Sequence, residues 1–151
     1  MINAQATKLI PLVLGTVSTS ATASASFDAS GWSHVMLEVG VIKPTAATAA
    51  VTLTALAIEE ADGTSYAAIS GLTGTTNTTA ASGEFVIPPT VTTDTNVIRL
   101  GINNVGRKKN FRVKYQGVTG GATLAVTARL SNGEEAPVSA SEQGVLTAVN
   151  V

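Results

Sequence analysis

The stretch that most restricts how this chain can fold runs from Asn96 to Tyr115, NVIRLGINNVGRKKNFRVKY. Ile98, Leu100 and Ile102 fall on one side of an extended backbone, and Val97 and Arg99 on the other. Phe111, Val113 and Tyr115 repeat the pattern against Arg112 and Lys114. Apolar residues at every second position mark half-buried antiparallel strands, because successive side chains of a strand leave opposite faces. Between the two runs, Asn104–Asn110 carries Gly106 and Asn110 for turn geometry and Arg107, Lys108 and Lys109 as a basic tip. The expectation is a hairpin with a charged tip and a chain built as sheet around it.

The other segments agree with sheet. Lys8–Leu14 reads as a short strand bent at Pro11, which suits an edge or an arm. Ser18–Ser26 is small and polar, a loop or a flat edge strand. In Trp32–Lys43, Val35, Leu37, Val39 and Val41 share a face. Val51–Glu60 is apolar on both faces (Val51 and Leu53; Leu56 and Ile58), as expected of a central strand. Asp62-Gly63 predicts a type I′ turn into a returning strand, Ser65–Ile69. Gly71–Gly83 reads as a long Gly/Thr surface loop, and Glu84–Ile87 as a short strand. Gly117–Gly121 and Asn132-Gly133 read as turns on either side of a strand, Ala122–Leu130. Glu134–Val151 is a tail with an apolar patch, Val145–Val149.

About eight short strands, with turn signals roughly every 8–12 residues and no helical period, predict an all-β antiparallel sandwich or barrel. At 151 residues the chain has the length of one domain. Residues 1–20 are assigned to an N-terminal arm or edge strand, 21–135 to the β-sandwich domain and 136–151 to a C-terminal tail.

Composition narrows the function classes. Charged residues make up 13% of the chain, against about 25% in ordinary domains. Such a surface is weakly defended against association and points to life in an assembly. The net charge of −1 argues against general nucleic-acid binding, and no apolar run approaches the ~20 residues of a membrane helix. Without cysteine there is no disulfide frame or thiolate metal site. The apolar run Leu9–Leu14 is too short, and too interrupted by Pro11, for a secretory signal.

No catalytic constellation is visible. The single histidine, His34, points away from its neighbour Ser33 on a strand, so the two cannot form a hydrolase pair. Glu59, Glu60 and Asp62 read as solvated turn charges, with a spacing that matches no calcium loop. Gly117–Gly121 lacks the Lys-Ser/Thr of a phosphate-binding loop. Trp32 and Tyr66 are of a type that stacks on sugars or fills cores and interfaces. The outstanding feature is the basic cluster Arg107, Lys108, Lys109, Arg112 and Lys114, five of nine basic residues. It reads either as a solvated tip and strand face or as a docking surface for an acidic partner.

The passage FDASGWSHVMLEVGV, followed by LTALAIEEADGTSYAAISG and the Asn96–Tyr115 stretch, resembles capsid cement or decoration proteins of tailed bacteriophages. The positions carrying the resemblance are Phe27-Asp28, Gly31-Trp32, Asp62-Gly63-Thr64 and Arg107–Tyr115, within a span from Phe27 to Leu130. The resemblance implies a jelly-roll or related sandwich, often a trimer at local threefold positions, located on the virion surface. It implies a non-enzymatic role between major capsid protein subunits, with no cofactor, nucleic acid or membrane. Contact candidates are then Leu9 and Leu12 in the arm, Leu146 and Val149 in the tail, and the basic cluster. The competing expectation is a carbohydrate- or receptor-binding module of a phage appendage, using Trp32, Tyr66 and the Gly71–Gly83 loop.

Overall fold

Strands of alternating burial pair into two stacked sheets in the computed structural model, which describes residues 7–16, 22–43, 51, 53–76, 79–87, 96–117 and 122–133. They are β1 (Thr7–Thr16), β2 (Ala23–Asp28), β3 (Trp32–Ile42), β4 (Leu53–Ala61), β5 (Ala67–Thr75), β6 (Glu84–Val86), β7 (Asn96–Asn103), β8 (Asn110–Gly117) and β9 (Thr123–Gly133). The first sheet has the order β1-β9-β3-β7 and the second β2-β8-β4-β5-β6. All pairings are antiparallel except β5 with β6.

The order follows a simple rule. β1 pairs with β9, β2 with β8, and β3 with β7, as if the chain were one long two-stranded ribbon folded over itself. Contacts of β9 with β3 and of β8 with β4 then close the two sheets. This is a jelly roll of eight strands, with the three-residue β6 added at the rim of the second sheet. The sandwich class expected from strand spacing is the one found.

The core lies between the sheets. Val35, Leu37, Val39 and Val41 of β3 face Leu124, Val126, Ala128 and Leu130 of β9 in register, and all eight are buried. The second sheet contributes Leu53, Leu56, Ile58, Phe111, Val113 and Tyr115. Each fully buried aliphatic side chain stabilises the fold by roughly 1.5–3 kcal/mol relative to exposure. Among the described residues, the aromatic rings that stack are Phe27 and Phe111, with centroids 5.7 Å apart.

Several expectations are corrected. The Asn96–Tyr115 stretch does form two strands, but they are not a hairpin: β7 belongs to the first sheet, β8 to the second, and residues 104–109 cross between them. Alternation reports that a strand has one buried face, not which strand lies beside it. β4 is central, yet not because both of its faces are buried. A register shift between Leu53 and Ala55 advances its phase by one residue, so Leu53 and the pair Leu56/Ile58 all point inward.

The Asp62-Gly63 turn is wider than type I′. Glu60 pairs with Ala67, and Gly63 alone in the turn has a positive φ, at 154°. Residues 71–75 of the expected Gly/Thr loop belong to β5, made possible by a bulge at Ile69–Leu72 in which Gly71 takes φ 84°. Asn132-Gly133 is not a turn either: Asn132 has φ 55°, and pairing continues to Gly133 opposite Trp32. Pro11 sits at the edge of the first sheet beside a register shift, a position that tolerates its missing N–H. The Gly117–Gly121 turn beyond Gly117, and the tail, lie outside the described residues.

Candidate functional site

Three described connections meet at one end of the sandwich: residues 29–31, 62–66 and 104–109. Asn104, 1% exposed, ties the first and last together. Its Nδ2 donates to the carbonyls of Ala29 (3.1 Å) and Trp32 (2.7 Å), and its N–H donates to Ser33 O at 2.8 Å. The N–H of Arg107 closes the turn onto Asn104 O at 3.2 Å. Gly106, with φ 75°, takes the left-handed position that this crossing requires. Beside Asn104 opens a cavity of about 200 Å³ lined by Trp32, Ser33, Asn104, Val105, Lys109 and Asn132 among others. Asn104 Oδ1 is buried without a hydrogen-bond partner.

Asp28 turns the β2–β3 corner. Its Oδ1 accepts the hydroxyl of Ser30 at 2.6 Å and the N–H of Ser30 at 2.8 Å. These two bonds hold its carboxyl below the ordinary value of 3.8, helped by the positive charges of Lys8 and Lys109 and opposed by slight burial.

The basic cluster is placed differently from a free tip. On the outer face of the second sheet Arg112 stands opposite Glu59 in register, and its Nε donates to Glu59 Oε2 at 2.7 Å. A second bond runs from the Arg112 Nη2 to the same oxygen. The guanidinium also covers the Tyr66 ring at 4.2 Å. Lys114 Nζ lies 3.8 Å from Glu59 Oε1. At the end of the sandwich Arg107 Nη1 reaches Glu60 Oε1 at 3.4 Å, and Lys108 lies 3.9 Å from Asp62. Glu60 stands opposite Phe111, on the interior side, and its other oxygen is buried without a partner.

Four of the five cluster cations therefore face Glu59, Glu60 and Asp62, and among the described residues Lys109 alone of the five makes no ion pair. Glu59 and Glu60, expected to be solvated, instead sit in these pairs, Asp62 stays largely exposed as expected, and three acids leave the five cations with a net positive charge. A signal for this was present in the sequence, since β4 carries Glu59-Glu60 near its end and β8 carries Arg112-x-Lys114 near its start, but it requires knowing that the two strands are neighbours.

Of the apolar contact candidates, Leu12 packs against the core at the β1 register shift, and Leu9 is half-buried beside Arg129 on the outer face. Leu146 and Val149 lie outside the described residues. The exposed apolar residue of β1 is Leu14, at 84%. It begins a cross-strand row, Leu14–Ala125–Gly40–Val97, in which Val97 is 58% exposed and the two central residues are small. Ile42, 38% exposed, stands in the next row beside Thr123. An uncharged trough with apolar walls thus crosses the outer face of the first sheet. Trp32, Tyr66 and the Gly71–Gly83 segment are not gathered: Trp32 lines the end cavity, while Tyr66 is covered by Arg112.

No protein-family model matches the chain, and no curated protein matches it in sequence. Among solved structures, it is similar to dimeric latent PorU from Porphyromonas gingivalis (11% identity, TM-score 0.38), covering 83% of this chain. The chain spans only 12% of the length of PorU. It is also similar to a structure of Desmodium yellow mottle tymovirus (12% identity, TM-score 0.37), covering 88% of this chain and 90% of that one.

Proposed function

We propose that this protein is a non-enzymatic structural component of a virion, a cement or decoration protein that binds between major capsid subunits and stabilises the shell. The observation that carries the reading is the trough walled by Leu14, Val97 and Ile42 on a sheet face where Arg99 is paired with Glu38. An isolated domain gains nothing from exposing such residues together, whereas burial against a subunit recovers their transfer energy. The resemblance of the Phe27–Tyr115 segments to phage cement proteins, and the jelly-roll order, support the same reading. Repetition by shell symmetry multiplies a modest contact into strong bracing. The test is co-sedimentation with purified capsids. Leu14→Ser with Val97→Ser is expected to abolish decoration while the fold is retained, and undiminished occupancy would exclude this face.

A carbohydrate- or receptor-binding role is the second reading, favoured by the cavity in which Trp32, Asn104 and the unpaired Lys109 meet. It predicts glycan-array hits lost in Trp32→Ala.

A further inference from the structure

Each sheet of a sandwich has two edges, and an unprotected edge is a template for another strand. Three of the four edges here are blunted. β1 carries Pro11 and a register shift. β2 is six residues long and β6 three. β1 and β2 also lie against each other, closing that side of the sandwich. The fourth edge, β7, is eight residues long, contains no proline and pairs with β3 without a register shift. Its one charge, Arg99, is held by Glu38 at 3.0 Å. Among the described residues no strand covers β7 on its outer side. A cleft of about 190 Å³ opens there between β7 and β5, lined by Ile69, Leu72, Gly101, Ile102 and Arg107 among others.

We infer that β7 pairs antiparallel with β7 of a second copy, joining two four-stranded sheets into one of eight strands about a twofold axis. The register follows by elimination. Core-facing residues must meet core-facing residues, so the axis passes through a residue position and not between two. Centred on Arg99, the pairing sets two arginines face to face. Centred on Gly101, it leaves Val97 and Ile98 without partners inside the strand. Centred on Leu100, it matches all of residues 97–103, with Ile98 opposite Ile102, Val97 opposite Asn103, and Arg99 opposite Gly101. Glycine across from arginine gives the long side chain room, and no like charges meet.

This inference does not rest on the virion reading, because a dimer without affinity for shells would overturn that reading and keep this one. Gly101 provides the test. A Cβ there meets only Met36 Cε at 3.8 Å and His34 Cε1 at 4.0 Å, so side chains are tolerated in the single copy. In the dimer position 101 faces Arg99 twice. Sedimentation equilibrium of the full chain should give a reversible species of twice 15.2 kDa. Gly101→Arg should weaken association about tenfold, and Gly101→Glu should tighten it at low salt, with the gain erased at high salt. A wild-type monomer at every concentration, a closed trimer, or a dimer on which the two substitutions act alike would each overturn the proposal. Should Gly101→Arg fail to fold, Gly101→Glu decides alone: no salt-sensitive tightening means no β7 pairing in this register.

Discussion

Arg112 and Glu59 face each other across the β4–β8 ladder, joined by two hydrogen bonds to a single carboxylate oxygen beneath a half-buried surface. A pair in that position is part of the fold before it is part of any docking site. Arg112→Ala should leave Glu59 desolvated with only Lys114 nearby and remove the stacking on Tyr66. The expected loss is about 1–3 kcal/mol in denaturant unfolding, with Arg112→Lys recovering part of it.

The basic tip divides in the same way. Lys109→Gln, at an exposed position without an ion pair among the described residues, should change stability by no more than about 0.5 kcal/mol, yet weaken decoration if the tip docks. Arg107→Glu should destabilise by about 1–3 kcal/mol, because it sets a second carboxylate against the partly buried Glu60. Thermal melts of the two variants, run beside capsid binding, separate docking from folding.

The β2–β3 corner should be acid-sensitive. The carboxyl of Asp28 is held below 3.8 when folded, so its charged form contributes stability that is complete above that value. The contribution disappears as pH falls through the depressed value. The stability gap between wild type and Asp28→Asn should therefore be constant at neutral pH and narrow only below 3.8, as read by unfolding curves across pH.

Two glycines should respond oppositely to alanine. A Cβ at Gly74 would meet Ile87 Cγ1 at 2.6 Å and the backbone oxygen of Leu56 at 2.9 Å, so Gly74→Ala should cost about 1–3 kcal/mol and loosen β6. At Gly40 the nearest atoms belong to Ala125 at 3.6 and 3.7 Å, ordinary contact distances. Gly40→Ala should stabilise the strand by up to about 1 kcal/mol.

Local pattern was readable wherever one face of a strand meets the core. Alternation puts Val35, Leu37, Val39 and Val41 on one face, the face that is buried, and Pro11 marks an edge or an arm, of which the structure has the edge. Pairing was not readable. Alternation in β7 and β8 looks the same whether the two strands are neighbours or lie in opposite sheets, so the hairpin was wrong and the Glu59–Arg112 pair invisible. The β4 bulge turned one inward face into an apparent two-faced strand. The glycines and threonines of β5 carry no alternation, because at the rim of the second sheet little of the strand is covered. The trough needed three strand registers at once, since Leu14, Ala125, Gly40 and Val97 are distant in sequence.

The pairing of Thr7 with Ser131 has a consequence for biosynthesis. Among the described strands β1 leaves the ribosome first and pairs with the one that leaves last, so the nascent polypeptide cannot complete its first sheet until β9 has emerged. Such high contact order puts folding in the millisecond-to-second range and leaves β1 and β3 without their shared neighbour during translation. A product terminated before β9 is therefore expected to lack the neighbour of β1 and to be less soluble than the full chain.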